Sequence, residues 1–343
     1  MSINLQFKKK KFIIFDNMER MYVKGEDDMP LISVVMPVYN KPVKLLEVSV
    51  DSILDQTFKD FEFLIVDDGS TGETTRYLNG LTDPRIRIIR NHTNLGITKS
   101  LNIGFREAKG KYIARMDGGD KSLPDRFEKQ LVFMESNPDV IVCGSSFGIG
   151  YSFLFTKSKL RDMENYRIQM LFMNPGPIHP TAFFRREELL RHNIEYNENL
   201  KYSQDYGMWM TVSQYGNIRI LPDKLIILQS HGNGITKSHR EEQIKCDKMT
   251  QKEMLYRLVD SVTEKELDIH YRYSTGYHLD LRMTDEARKW YKKLIKANDQ
   301  KGIYDHMKFR KYVYLIMICS TVIPWLKAFI NLFRRKKQFE INI

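Results

Sequence analysis

Cysteine is scarce in this chain: Cys143, Cys246 and Cys319 are its three, far apart and without metal-ligand spacing. That argues against a disulfide scaffold or a cysteine-based metal site. Free structural thiols in a reducing compartment are the expectation. Long apolar runs are missing too. A membrane-spanning helix needs ~20 apolar residues. The stretch YVYLIMICSTVIPWL (312–326) is short, contains Pro324 and is followed by Lys327. Near the start, KKKK (8–11) precedes only four apolar residues, too few for the apolar region of a signal peptide. A phosphate-binding P-loop is absent as well: Gly104, Gly110 and Lys111 have the wrong spacing, and Tyr112 stands where Ser or Thr is needed.

The chain has 343 residues, 42% hydrophobic and 28% charged, ordinary values for a globular protein with a sizeable core. Its net charge of +11 is uneven, because residues 301–343 carry nine Lys/Arg against Asp305 and Glu340. An apolar segment beside Lys327 and RRKK (334–337) fits a position in the interface of an anionic membrane, rather than a span. A buried C-terminal helix with a solvated basic end is the alternative. No nucleic-acid partner is expected, and the chain is expected in the cytoplasm, peripheral on the inner face of the cell membrane.

Four short apolar runs dominate what is present: LISVVMPVYN (31–40), FEFLIVDDGS (61–70), RIRIIRN (85–91) and KYIARMDGGD (111–120), separated by helical patterns. Strands alternating with helices predict an α/β domain with a mostly parallel sheet flanked by helices. Ligands of such sheets bind beyond the carboxyl ends of the strands. Those ends carry Tyr39, Asn40, Asp67, Asp68, Asp117 and Asp120, which points to a site for a nucleotide and a metal. Pro37, having no N–H to donate, is expected to stop further pairing of the first strand. Asp67 or Asp68 serves equally as a cap for the next helix, although capping explains only one of the pair. Asn94, Leu95 and Gly96 read as a turn, with Lys99 and Asn102 on the first turns of a helix whose N–H groups favour an anion. Asp205 opens a helix expected to be amphipathic, with Met208, Trp209 and Val212 inward.

The blocks VVMPVYN, IVDDGST, NLGITKSLNIG, GKYIARMDGGD, HPTAFFRREEL and SQDYGMWM, in this order, resemble the family-2 glycosyltransferases of the GT-A fold. The resemblance covers roughly residues 31–235. It implies an inverting transferase using a nucleotide-sugar, most simply a UDP-sugar, and a glycan or lipid-linked acceptor, as in cell-surface polysaccharide assembly. It lays Pro37, Tyr39 and Asn40 along the nucleotide and gives Asp67 and Asp68 the uracil edge and ribose. Asn94, Gly96, Lys99, Asn102 and Asp117 complete the nucleotide-binding set. Asp205 becomes the catalytic base. His179, Arg185, Gln204 and His231 fall on the acceptor or diphosphate side. A divalent cation, Mn²⁺ or Mg²⁺, would be held by Asp117 and Asp120. This chain departs from the family where Gly119 replaces a metal-binding Asp, Gln204 replaces Glu, and Gln229 replaces Arg.

Residues 1–28 are expected to form a poorly ordered extension, 29–236 the GT-A domain, and 237–343 a helical region ending in the basic tail. Two other readings remain: a catalytically impaired nucleotide-sugar binder, and a membrane-surface scaffold with an inherited fold. Sugar nucleotidyl transfer is disfavoured because VYNKPVKLL lacks a Gly-rich basic loop.

Overall fold

The computed structural model describes residues 29–149, 163–229, 239–274 and 284–318. The first apolar runs form β1 (Ile32–Val38), β2 (Phe61–Asp67), β3 (Ile86–Arg90) and β4 (Tyr112–Arg115). Between them lie α1 (Val43–Leu54), α2 (Gly72–Asn79) and α3 (Ile97–Glu107). All three strand pairs of this half are parallel, with Ile32 beside Phe61 and Tyr112, and Phe63 beside Ile86. β1 and β2 are apolar almost without interruption because both faces of the sheet are covered. Val35, Leu64 and Val66 pack with α3, whereas Val34, Met36, Phe63 and Ile65 pack with α1 and with α4 (Arg126–Ser136). On the first face Gly104 lets α3 lie close, since a Cβ there would stand 2.4 Å from Val35 Cγ1.

The second half makes the sheet mixed rather than simply parallel. Strands β5 (Lys121–Ser122), β6 (Val140–Ile149), β7 (Phe183–Arg185) and β8 (Asn217–Leu228) complete the order β3-β2-β1-β4-β7-β6-β8-β5. β7 is antiparallel to both β4 and β6, and β5 is antiparallel to β8. Helices α5 (Met163–Phe172), α6 (Arg186–Arg191) and α7 (Gln204–Val212) follow the chain between these strands. The charged C-terminal pattern forms α8 (Arg240–Leu258), α9 (Glu264–Ser274) and α10 (Asp285–Lys301).

These helices share a core with the sheet: Leu255, Trp290 and Tyr291 join Phe172 and Trp209 in one buried cluster. Helix α7 is consequently buried all round, with Tyr206 and Met210 inside as well as Met208, Trp209 and Val212, so it is not amphipathic. Residues 306–318 are helical, and Val313 is buried while Tyr312 rests on Phe172. The start of the 312–326 run is therefore core, which corrects the interface expectation for that part. Tyr314, Leu315 and Ile318 are exposed. Among the described residues no helix is long and apolar enough to cross a membrane.

Candidate active site

Parallel strands bring their carboxyl ends to one rim, and β1 to β4 do so here. Pro37 lies inside β1 beside Val66, and the strand pairs with β2 up to Val38 and Asp67. Proline's missing donor falls on the β4 side, where pairing has ended at Val35 and Arg115. Pro37 thus stops pairing on one side only, a correction to the expectation that it ends the strand. Beyond it Tyr39 is 51% exposed. Asn40 adopts a left-handed φ of 43°. Its N–H donates to Ser70 Oγ at 3.0 Å, and its side-chain oxygen accepts from Thr71 N at 2.9 Å, tying the first two rim loops together.

Asp67 and Asp68 are both buried. Asp67 Oδ1 accepts the Ser70 N–H at 2.9 Å. Asp68 accepts from Asn91 Nδ2 and Leu95 N, both at 2.8 Å, and from Gly96 N at 2.9 Å. One carboxylate thereby shapes the 91–96 turn, in which Gly96 has φ 89° and Asn94 is exposed. Lys99 is exposed on the first turn of α3. Asn102, one turn further along, is buried: its Nδ2 donates to Tyr196 O at 3.0 Å and its oxygen accepts from Tyr196 N at 2.9 Å. That amide is a structural tie to the 195–198 segment, so the nucleotide-binding expectation for Asn102 is corrected.

The Asp117–Asp120 turn is organised from outside by Ser49 of α1. Its Oγ accepts the Gly119 N–H at 2.6 Å and donates to Asp120 O at 2.8 Å. Gly119 has φ 112°, a backbone angle that side chains rarely adopt. Asp117 is partly exposed and pairs through Oδ1 with Arg115 Nη2 at 2.5 Å. Asp120 is buried, and its Oδ1 accepts from Gln229 N at 3.0 Å. Burial, then the Asp117 charge, pushes the Asp120 carboxyl up to about 7. Two carboxylates that burden each other, each with an oxygen to spare, suit a hard divalent cation. Among the described residues no third His, Cys, Asp or Glu joins them, so a diphosphate would have to supply further oxygens.

Sequence reading overlooked Arg115. Its guanidinium is buried at the end of β4, with Nε and Nη1 lacking any partner among the described residues. Its charge reaches Asp117, Asp120, His179, Tyr196 and Asp205. The clue was a charge inside the buried run YIARM.

Asp205 stands at the start of α7 beside buried Gln204, with Asp205 Oδ2 accepting from Asn174 Nδ2 at 3.0 Å. Burial raises the proton affinity of Asp205, opposed by Asn174, the Tyr206 N–H and Arg115. His179 Nε2 lies 2.8 Å from Tyr196 Oη, and its ring meets Trp209 edge-on. Burial pushes its pKa well below the usual value, so the ring is neutral. Arg185 does not reach this rim. Because β7 runs antiparallel to β4, Arg185 lies beside Tyr112 at the opposite edge. There its guanidinium holds Met134 O at 2.7 Å and Val140 O at 3.2 Å. The acceptor-side expectation for Arg185 is therefore corrected. His231 lies outside the described residues.

The model of the family described as Glycosyl transferase family 2 matches residues 33–193. The amylovoran biosynthesis glycosyltransferase AmsE of Erwinia amylovora is 30% identical over 236 residues, which are 66% of this chain and 85% of that protein. The chain belongs to glycosyltransferase family 2. An uncharacterized glycosyltransferase of Haemophilus influenzae is 28% identical over 330 residues, covering 92% of this chain and 96% of its own. The fold is shared with S. aureus TarS 1-349 in complex with UDP-GlcNAc, at 18% identity and TM-score 0.57 over 87% of this chain and 91% of that one. It is shared also with the mannosyltransferase PcManGT of Pyrobaculum calidifontis in complex with GDP-Man and Mn²⁺, at 15% identity and TM-score 0.52 over 94% and 97%. This family-2 chain is accordingly a glycosyltransferase of α/β fold, an enzyme that moves a glycosyl group.

Proposed function

We propose that this glycosyltransferase moves a sugar from a UDP-sugar to a hydroxyl of a glycan or lipid-linked acceptor, with inversion, in cell-surface polysaccharide assembly. The observation that carries the reading is the pairing of an acidic turn, Asp117 to Asp120, with a separate half-buried carboxylate, Asp205, both within reach of the buried Arg115 charge. The first group suits a nucleotide diphosphate, and the second suits an attacking hydroxyl. UDP-GlcNAc and GDP-Man in the structural neighbours support a nucleotide-sugar donor, and AmsE, named for amylovoran biosynthesis, supports a biosynthetic role.

In this mechanism Tyr39, Asn40, Asp67 and the 91–96 turn hold the nucleoside, with Lys99 facing the diphosphate. Asp117 and Asp120 would hold a divalent cation, which supplies neutralising charge for the leaving diphosphate. Asp205 takes the proton of the acceptor hydroxyl as its oxygen bonds to the anomeric carbon. The bond from that carbon to the phosphate oxygen breaks on the opposite face, and UDP leaves with the electron pair. Asp205→Asn should lower transfer ~10²–10⁴-fold and leave UDP affinity nearly unchanged. Equal loss of UDP binding in calorimetry would return Asp205 to a helix-capping role.

A second reading, a nucleotide-sugar binder with impaired turnover, is favoured by Gly119 and by the Arg115 pair that already occupies Asp117. UDP release measured across nucleotide-sugars decides between the two. The exposed Tyr314, Leu315 and Ile318, ahead of the apolar and basic residues to 343, support peripheral contact with an anionic inner-membrane surface.

A further inference from the structure

The loop after α5 reads Met-Asn-Pro-Gly-Pro (173–177), and its asparagine touches Asp205. Pro175 and Pro177 restrict the backbone, while Gly176 supplies a left-handed φ of 85°. Asn174 Oδ1 accepts the Gly176 N–H at 3.0 Å, a side chain standing in for backbone in a turn. Tyr166 of α5 donates its hydroxyl to Gly176 O. Gly144 of β6 leaves the room that Pro177 fills, because a Cβ there would collide with the proline ring. Thr181 Oγ1 closes the far end by donating to Ile178 O at 2.7 Å. The loop is held throughout by groups other than Asp205.

That anchorage fixes how the Asn174 amide is used. With its oxygen committed to Gly176, its nitrogen is left to donate elsewhere, and it does so to Asp205 Oδ2 at 3.0 Å. Among the described residues no other side chain makes a hydrogen bond to Asp205. Left alone, an aspartate carboxyl turns broadly about its last torsion. A general base, however, must keep an oxygen within hydrogen-bond reach of the proton it removes. A lysine or arginine in place of Asn174 would tie the carboxylate but cancel its charge. An amide ties it and leaves it a base.

We propose that Asn174 is a positioning residue of the transfer reaction: it clamps Oδ2 of Asp205 so that Oδ1 meets the acceptor hydroxyl. The inference rests on Asp205 being that base. It makes the Asn-Pro-Gly-Pro loop the mount of a catalytic group as well as a connection from α5 to β7.

The test uses the full chain and UDP release from UDP-glucose, UDP-galactose, UDP-GlcNAc and UDP-GalNAc, with water as the acceptor. It is run at about pH 8.5, above the titration of Asp120 at about 7. Asn174→Asp keeps an oxygen for the Gly176 N–H and removes the N–H that holds Asp205. Asn174→Ala removes both. If the amide merely shaped its own loop, the aspartate variant would be fully active and the alanine variant alone would suffer. Positioning instead predicts that both lose ~10²-fold in kcat, the scale of a small misplacement of a catalytic group. The charge added by Asn174→Asp also raises the proton affinity of Asp205, but rate follows base strength only in part, so the lost aim prevails. KM for the donor, and UDP affinity by calorimetry, should match the wild type in both. In an Asp205→Asn background Asn174→Ala should cost nothing further, because it acts only through that carboxylate. Wild-type kcat in Asn174→Asp, a fall in UDP affinity as large as that in kcat, or a further loss in the double variant overturns the proposal. If Asn174→Ala fails to fold, the aspartate variant decides alone. A fully active Asp205→Asn, or no UDP release from the wild type, would remove the base assignment itself, a result that the Asn174 variants cannot mimic.

Discussion

Acid should loosen the C-terminal helices from the transferase sheet, and His270 sets the pH at which it does so. His270 is buried in α9 with its Nε2 2.8 Å from Leu171 O, while Trp290 Nε1 donates to its Nδ1 at 3.2 Å. Those partners require the neutral ring, protonated on Nε2 only. Gln251 adds a bond to Phe172 O at 2.7 Å, so side chains from α8 and α9 satisfy the last carbonyls of α5. Burial pushes the His270 pKa from 6.5 down to about 4. A proton is therefore taken up more readily by the unfolded chain. The stability that His270 lends is complete above pH 6.5 and drains as pH falls toward 4. The drop of roughly 2.5 units, at 1.36 kcal/mol each, amounts to about 3 kcal/mol. Urea unfolding of the wild type beside His270→Gln, from about pH 7 to 4.5, measures it. Glutamine donates and accepts in the same places and takes up no proton in that range. The difference between the two proteins should shrink by most of that amount on acidification. A difference independent of pH refutes the argument.

Gly119→Asp should tighten Mn²⁺ binding measured by calorimetry with UDP present, since it adds a hard oxygen between Asp117 and Asp120. It should also cost ~1–3 kcal/mol of apo stability, because φ is 112° at that position. Unchanged Mn²⁺ affinity, together with turnover that ignores EDTA, would mean that cationic side chains stabilise the leaving group. Removing residues 319–343 should release the protein from anionic liposomes while donor hydrolysis continues. Equal sedimentation of truncated and full-length protein rejects the interface reading.

β1 and β2 were legible because doubly covered parallel strands are written as nearly unbroken apolar runs, and each run ends in polar residues at the rim. Asp205 was legible as the opening residue of a helix. Strand direction was not: nothing in HPTAFFRREEL announces that β7 runs backwards, and that reversal carries Arg185 to the far edge. Lys99 and Asn102 lie three positions apart on α3, yet one faces solvent and the other the Tyr196 segment, a distinction set by what packs there. Arg115 was missed because a charge at a strand end looks solvated until the elements covering it are known.

Ser49 separates form from chemistry in the acidic turn. A hydroxyl on α1 holds the backbone of residues 119 and 120, whereas the charges that face the rim come from the turn itself. Copying Asp-Gly-Gly-Asp into another transferase would move the letters and leave the mould behind. The heritable unit of this site is a helix and a turn far apart in the chain, and a graft succeeds only if both travel.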